Sequence, residues 1–90
     1  MKLKIIYKKI AIKFIQKNNL KKDEIDELII KAIKKIIKKE DINIDVKKLV
    51  SKDLFRIRKG DIRVIFSYFE DEIIISIVEN IGYRGDIYKK

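Results

Sequence analysis

Arginine is confined to the second half of this 90-residue chain, where it occupies positions 56, 58, 63 and 84. Every basic residue up to position 53 is a lysine instead. Lysine serves a surface salt bridge as well as arginine does. The planar arginine fork, however, holds phosphate oxygens with two parallel hydrogen bonds and also stacks on bases. Because the chain otherwise uses lysine, its arginine segment is predicted to bind phosphate.

The spacing of these arginines predicts one shared surface. Arg56 and Arg58 alternate with apolar residues, so both are expected on the same face of a strand. A two-residue turn, at positions 59–60 or 60–61, places Arg63 on that face and directly across from Arg56 or Arg58. A three-residue turn rotates Arg63 away. Like charges opposed across two strands are unfavourable unless something negative lies between them.

The competing interpretation is structural. The same arginines could pair with nearby acids, such as Asp61 and Asp86, on an exposed sheet face. For two charged residues on a strand this is the ordinary expectation. The strict use of lysine elsewhere in the chain favours the phosphate-binding interpretation over it.

The net charge of +9 favours a polyanionic partner. Residues 1–50 carry +8 of it and residues 51–90 carry +1. Such a field attracts RNA, DNA, an anionic membrane or an acidic protein. The alternative is that an isoleucine- and lysine-rich composition reflects compositional bias or heat adaptation, with the lysines simply solvating the surface.

Histidine and cysteine are both absent from the sequence, which limits the possible chemistry. Soft-metal sites and Cys–His nucleophiles are excluded, and the usual neutral-pH acid–base group is missing. We expect no metal and no cofactor. The absence of cysteine, the lysine-interrupted N-terminal segment and the short apolar runs predict a cytoplasmic protein with no signal peptide and no membrane span.

Hydrophobic periodicity predicts a single α+β domain over residues 1–90. A strand at 2–7 precedes a helix that ends near Asn18, and a second helix begins near Asp23 as its N-cap. Residues 41–53 are expected to be irregular or briefly helical. From Leu54 the apolar residues recur at every second position, which predicts a three-strand antiparallel meander. The order is β-α-α-β-β-β, with a two-helix hairpin packed on one face of a small, mostly antiparallel four-stranded sheet.

The segment 54–88 closely resembles the second half of toxins of the RelE/ParE superfamily. It has a strand ending in Arg-x-Arg, a turn with glycine, an Arg-Val-Ile strand and a tail of the form Ile-Gly-x-Arg-x-x-x-Tyr. The preceding strand and helices follow the order of the family, so the resemblance spans the whole chain. It implies the toxin of a type II toxin–antitoxin pair with a RelB-like antitoxin partner. RelE-type members enter the ribosomal A site and cut the mRNA there.

The resemblance also implies roles for individual residues. Arg56 and Arg58 match basic sheet residues that line the RNA-binding cleft, and Lys59 directly after them is grouped with these RNA contacts. Arg63 also matches that basic surface and is expected at the phosphate together with Arg84, which follows the Ile-Gly-x motif. Tyr88 matches the C-terminal tyrosine that contacts or stacks on the substrate.

One departure from the family concerns the general base. Several members carry lysines where Arg56 and Arg58 stand, and one of those lysines has been considered a base. Arginine stays protonated up to about pH 12 and is a poor base. The electrostatic role is therefore expected to persist here, while the identity of the base stays open.

Two other functions remain compatible with the sequence. A ParE-like protein shares this fold, binds DNA gyrase and has no nuclease chemistry. The joint presence of Arg84 and Tyr88 favours the nuclease branch. A plain RNA- or DNA-binding module without toxicity is the second alternative.

Overall fold

A five-stranded sheet organises residues 2–50 and 53–83, which are those that the computed structural model describes. In chain order the elements are β1 (Leu3–Tyr7), α1 (Lys9–Lys17), α2 (Lys22–Ile37), β2 (Asp45–Lys48), β3 (Phe55–Lys59), β4 (Ile62–Glu70) and β5 (Ile74–Tyr83). The spatial order of the strands is β1-β5-β4-β3-β2. β1 and β5 pair in parallel, and every other neighbouring pair is antiparallel.

The predicted α+β class and the helical hairpin are confirmed, and the strand count is corrected. The segment expected to be irregular or helical contains the edge strand β2, which pairs with β3. The sheet thus has five strands rather than four, and the order is β-α-α-β-β-β-β. β2 is short, and two of its four residues are lysines, which suits an edge that must not pair with other chains.

Both helices pack on one face of the sheet through apolar stripes at helical spacing. Asn19 follows α1 with a left-handed φ of 53°, a conformation that asparagine tolerates and that ends the helix. α2 begins at Lys22, so its N-cap residue is Lys21 rather than the predicted Asp23, and Lys21 makes no capping side-chain hydrogen bond. Asp23 and Glu24 instead lie in the first turn, where their negative charges interact favourably with the positive end of the helix dipole. The buried helical residues are Ala11, Ile15, Ile25, Leu28, Ile29, Ala32 and Ile33.

Alternation along the strands completes the core beneath these helices. Ile57, Val64 and Phe66 are fully buried, and Phe55 stacks on Phe66 with their ring centroids 5.5 Å apart. Val78 on β5 is likewise buried and lies directly across from Phe66. The apolar residues of β3, β4 and β5 therefore share the helix-covered face, and the residues between them lie on the other.

A tyrosine ties the first strand to the second helix. The Tyr7 hydroxyl donates to Oδ1 of Asp26 at 2.6 Å, and Lys22 lies 4.9 Å from the centre of the tyrosine ring. Burial and the hydrogen bond to the Asp26 carboxylate raise the pKa of Tyr7 far above its usual range. Tyr7 consequently acts as a neutral hydrogen-bond donor at physiological pH.

Within residues 2–50 and 53–83, no helix is both long and apolar enough to cross a membrane.

Candidate nucleic-acid interface

The sheet face opposite the helices carries three of the four arginines. Arg56 and Arg58 alternate with the core residues of β3, and Arg63 alternates with the core residues of β4. Among the described residues, neither helix packs on this side of the sheet. We call the surface formed by Arg56, Arg58 and Arg63 the arginine face.

A tight turn sets the register that opposes two of these arginines. β3 and β4 are joined by Gly60 and Asp61 alone, with Lys59 paired to Ile62. Gly60 has a φ of 58°, the left-handed value that two-residue hairpin turns require at their first position. Arg58 therefore lies directly across from Arg63, as the sequence predicted for a two-residue turn.

One carboxylate partly neutralises this surface. Asp45 on β2 lies across from Arg58, and its Oδ2 is 2.9 Å from Nε of that arginine. Its Oδ1 accepts a hydrogen bond from Nη2 of Arg56, also at 2.9 Å. The expectation that local acids pair with the arginines is thus met by a residue other than the predicted ones. Asp61 makes no ion pair with any described residue, and Asp86 lies outside the described residues.

The three arginines differ in their surroundings. The side chain of Arg58 is half exposed, whereas that of Arg56 is 18% exposed. The Nε of Arg56 is buried and has no hydrogen-bond partner in the described part of the chain. Arg63 is buried, at 6% exposure, and its Nη1 lies 3.3 Å from the Gly60 carbonyl oxygen. No carboxylate of residues 2–50 or 53–83 pairs with Arg63, so its charge stays uncompensated within those residues.

Lys59 borders the arginine face but is not part of it. Strand alternation turns it to the helix side, where it lines a cavity of about 280 Å³ beside α2. Lys31, Asn43 and Arg58 line the same cavity. Lys59 therefore borders the arginine face at the end of β3, and its predicted RNA contact stays a prediction.

The remaining predicted site residues, Arg84 and Tyr88, lie outside the described residues. The structure does describe β5, the strand that precedes them in the chain. Gly82 on β5 lies directly across from Arg63, and β5 ends at Tyr83, whose hydroxyl donates to Oδ1 of Asn18 at 3.0 Å. The described chain thus ends next to the most buried arginine of the face.

The rest of the open face carries an apolar patch, with the exposed Lys4 of β1 beside it. Ile6 on β1 is 41% exposed and Phe69 on β4 is 51% exposed. Ile77 lies across from Ile6, and Ile75 across from Phe69, which makes the patch continuous over three strands. The open face therefore has a cationic half on β3 and the start of β4, and an apolar half on β1, β5 and the end of β4.

A β-bulge with a partly buried carboxylate lies between these halves. Ile65 pairs with Asn80 and Phe66 with Val78, so Glu79 is the extra residue. Its carboxylate lies 2.7 Å from Nζ of Lys8 and accepts a hydrogen bond from the Ser67 hydroxyl at 2.8 Å. Burial opposes ionisation of Glu79, but the contacts with Lys8 and Ser67 outweigh it and hold the pKa of Glu79 below its usual range.

Sequence reasoning missed Asp45 as a member of this surface. The residue lies in a segment for which no strand was predicted, so its face could not be assigned. The signal that could have found it is the pair Val46 and Ile44, two apolar residues separated by an acid, directly before two lysines. Such a short alternation suits an edge strand and places Asp45 on the face opposite Val46.

Comparison with known proteins identifies the fold. No family model and no curated protein sequence matches the chain. Among solved structures, a chain of the RelB–RelE antitoxin–toxin complex from Methanococcus jannaschii is similar, with a TM-score of 0.55 and 16% identity. The alignment covers 92% of this chain and 94% of that chain. The chain therefore has the fold of a RelE-type toxin.

Proposed function

We propose that this chain is the toxin of a type II toxin–antitoxin pair. In this proposal it is a cytoplasmic, metal-independent endoribonuclease that cleaves mRNA in the ribosomal A site and so arrests translation. The observation that carries the proposal is the juxtaposition of Arg58 and Arg63 on a sheet face free of the two helices. Two opposed cations, of which only Arg58 pairs with a carboxylate among the described residues, suit a polyanionic ligand better than they suit the isolated fold.

The arginines supply electrostatic stabilisation where RNA cleavage needs it. In metal-independent cleavage the 2′-oxygen attacks the adjacent phosphorus, and the bond from phosphorus to the 5′-oxygen breaks. Negative charge builds on the phosphate oxygens during this step. Arg63 and Arg84 are assigned to those oxygens, because a cation held in a water-poor site stabilises such charge far more than one in bulk water. The burial of Arg63 supports its part in this assignment.

The other predicted residues bind the substrate on either side of the scissile bond. Arg56 and Arg58 hold flanking phosphates, with Lys59 at the end of the same strand as an additional contact. Tyr88 stacks on a base or steadies the 2′-hydroxyl. Stacking of one base on an aromatic ring is worth about 1–3 kcal/mol, enough to fix a nucleotide next to the phosphate.

The sequence makes catalysis dependent on external geometry. It contains no histidine, and arginine is a poor base, so acid–base assistance is weak. Positioning of the reacting atoms must then supply much of the rate. A ribosome that presents the codon in a fixed conformation provides this positioning. Free RNA is consequently a poor substrate.

An acidic RelB-like antitoxin is the proposed protein partner. The similar chain from Methanococcus jannaschii comes from an antitoxin–toxin complex. A chain of net charge +9 is well matched by an acidic segment, whose carboxylates pair with the arginine face. The exposed Ile6 and Phe69 supply apolar surface on the same side of the sheet.

A growth experiment tests the proposal. Induced expression of the wild type should stop growth and protein synthesis within minutes. The Arg84→Ala, Tyr88→Phe double variant should lose this effect. Lys89→Ala is the matched control, because it removes one cation from the same segment outside the motif, and it should stay toxic.

Two results of this experiment would contradict the proposal. Toxicity and translational arrest that persist in the double variant would exclude the nuclease assignment. A DNA-damage response to the wild type, with protein synthesis continuing, would favour a ParE-like gyrase inhibitor instead.

A further inference from the structure

Asp45 is the only acidic residue among the described residues that bridges two arginines. Each of its carboxylate oxygens lies 2.9 Å from a different guanidinium group, Oδ1 from Arg56 and Oδ2 from Arg58. The two arginines are separated by one residue on β3, so the carboxylate joins neighbouring positions on one face. A phosphate group between the same two arginines would use the same donor groups.

The sheet register places cationic side chains on several sides of Asp45. Across the three strands, Asp45, Arg58 and Arg63 form one row, and Lys47, Arg56 and Ile65 form the next. Asp45 thus faces one arginine directly and reaches diagonally to the other. It is 43% exposed, whereas the Arg56 side chain that it binds is only 18% exposed.

The orientation of Arg56 depends strongly on this contact. In the described residues, its one side-chain hydrogen bond goes to Asp45, and its buried Nε has no partner. An arginine held by a single carboxylate can reorient when that carboxylate is removed. The pairing of Asp45 therefore controls which N–H groups of Arg56 and Arg58 a ligand meets.

We propose that Asp45 is an internal counterion that occupies part of the phosphate-binding capacity of the arginine face and thereby keeps its affinity for free RNA low. The inference rests on the proposed RNA-binding role of that face. Loss of the carboxylate frees donor groups for about one further phosphate. This provides a physical reason for a toxin to ignore free RNA and act where RNA is already held in place.

Salt-dependent binding of RNA tests the proposal. The probe is a fluorescent single-stranded RNA of mixed sequence, titrated with purified full chain between 50 and 200 mM salt. For single strands, log affinity falls with log salt by about 0.7 per phosphate contacted. Asp45→Asn should bind more tightly than the wild type at low salt. It should then lose about threefold more affinity over this range, which corresponds to one additional phosphate.

Matched variants separate position from net charge. Asp61→Asn removes the same charge from the adjoining turn, at a residue that pairs with neither arginine, and it should keep the wild-type salt slope. Asp45→Glu restores a carboxylate at the same position and should return the slope toward that of the wild type. Asp45→Ser serves as a second neutral variant, and circular dichroism checks that each protein is folded.

A folded Asp45→Asn or Asp45→Ser variant with the same slope as Asp61→Asn, or with weaker RNA binding at low salt, would show that Asp45 does not restrain the arginine face. The growth assay reports separately on the proposed function. A non-toxic wild type would refute the nuclease assignment, while the RNA titration would still decide the role of Asp45.

Discussion

Asp45 and Glu79 each bind two partners, and their different surroundings give the two carboxylates different roles. Asp45 is partly exposed and bridges two arginines on the open face. Glu79 is more buried and binds Lys8 and Ser67 at the bulge of β5. The first faces a predicted ligand surface, whereas the second joins the end of β1 to the two central strands. We therefore expect Asp45 to affect binding and Glu79 to affect stability.

The low pKa of Glu79 predicts how that stability depends on pH. A carboxyl group whose pKa is lower in the folded state stabilises the fold when it is ionised. This contribution is present above the unfolded-state pKa of about 4.3 and is lost as pH falls through the lower folded-state pKa. Glu79→Gln should thus reduce the free energy of unfolding by about 1 kcal/mol at pH 7.

Urea denaturation at several pH values measures this effect. The difference between wild type and Glu79→Gln should shrink as pH falls below about 4.3, because the wild type then loses the same interaction. Glu72→Gln, in the exposed turn between β4 and β5, is the control and should change little at either pH. A difference for Glu79→Gln that stays constant down to pH 2 would contradict the ionic origin of the contribution.

At the scale of elements, the β3–β4 hairpin positions the opposed arginines, and Gly60 determines its turn. The ideal Cβ position of Gly60 meets no atom within 4 Å, so any cost of substitution comes from the backbone alone. Gly60→Ala should lower the free energy of unfolding by about 1–2 kcal/mol, because alanine disfavours a positive φ. Gly60→Asn should cost less, since asparagine tolerates this conformation better. Thermal and urea unfolding of the two variants measures the difference, and equal costs would contradict the assigned turn geometry.

Helices and strands with a strong local hydrophobic pattern could be predicted from the sequence. β2, which depends on pairing with β3, could not. The stripes of α1 and α2 and the alternation of β4 and β5 are local signals, so their positions were correct within a few residues. β2 contains a single apolar residue, Val46, and exists because β3 offers it a hydrogen-bonding edge. Its register, and with it the Asp45 contacts, depends on that long-range pairing. The arginine side chains of β3 were assigned to the correct face because alternation with core residues is again local.

At the scale of the whole molecule, the two faces of the sheet differ in what they carry. One face carries the helices and the core, while the other carries three arginines beside an exposed apolar patch. A ligand that covers the cationic half compensates the repulsion between opposed arginines, and a protein partner that covers both halves also buries Ile6 and Phe69. The same face can therefore serve RNA and an acidic antitoxin in turn, which makes their binding mutually exclusive in this proposal.

The central claim is that this surface cleaves mRNA only when a ribosome holds it, and mapping of cleavage sites tests that claim most directly. Purified chain is added to ribosomes stalled at a defined codon of a labelled mRNA, and to the same mRNA without ribosomes. We predict cuts within the A-site codon on the ribosome, no comparable cutting of the free mRNA, and loss of the cuts with Arg84→Ala. Equal and rapid cutting of the free mRNA, or no cutting on the ribosome by a toxic wild type, would contradict the account.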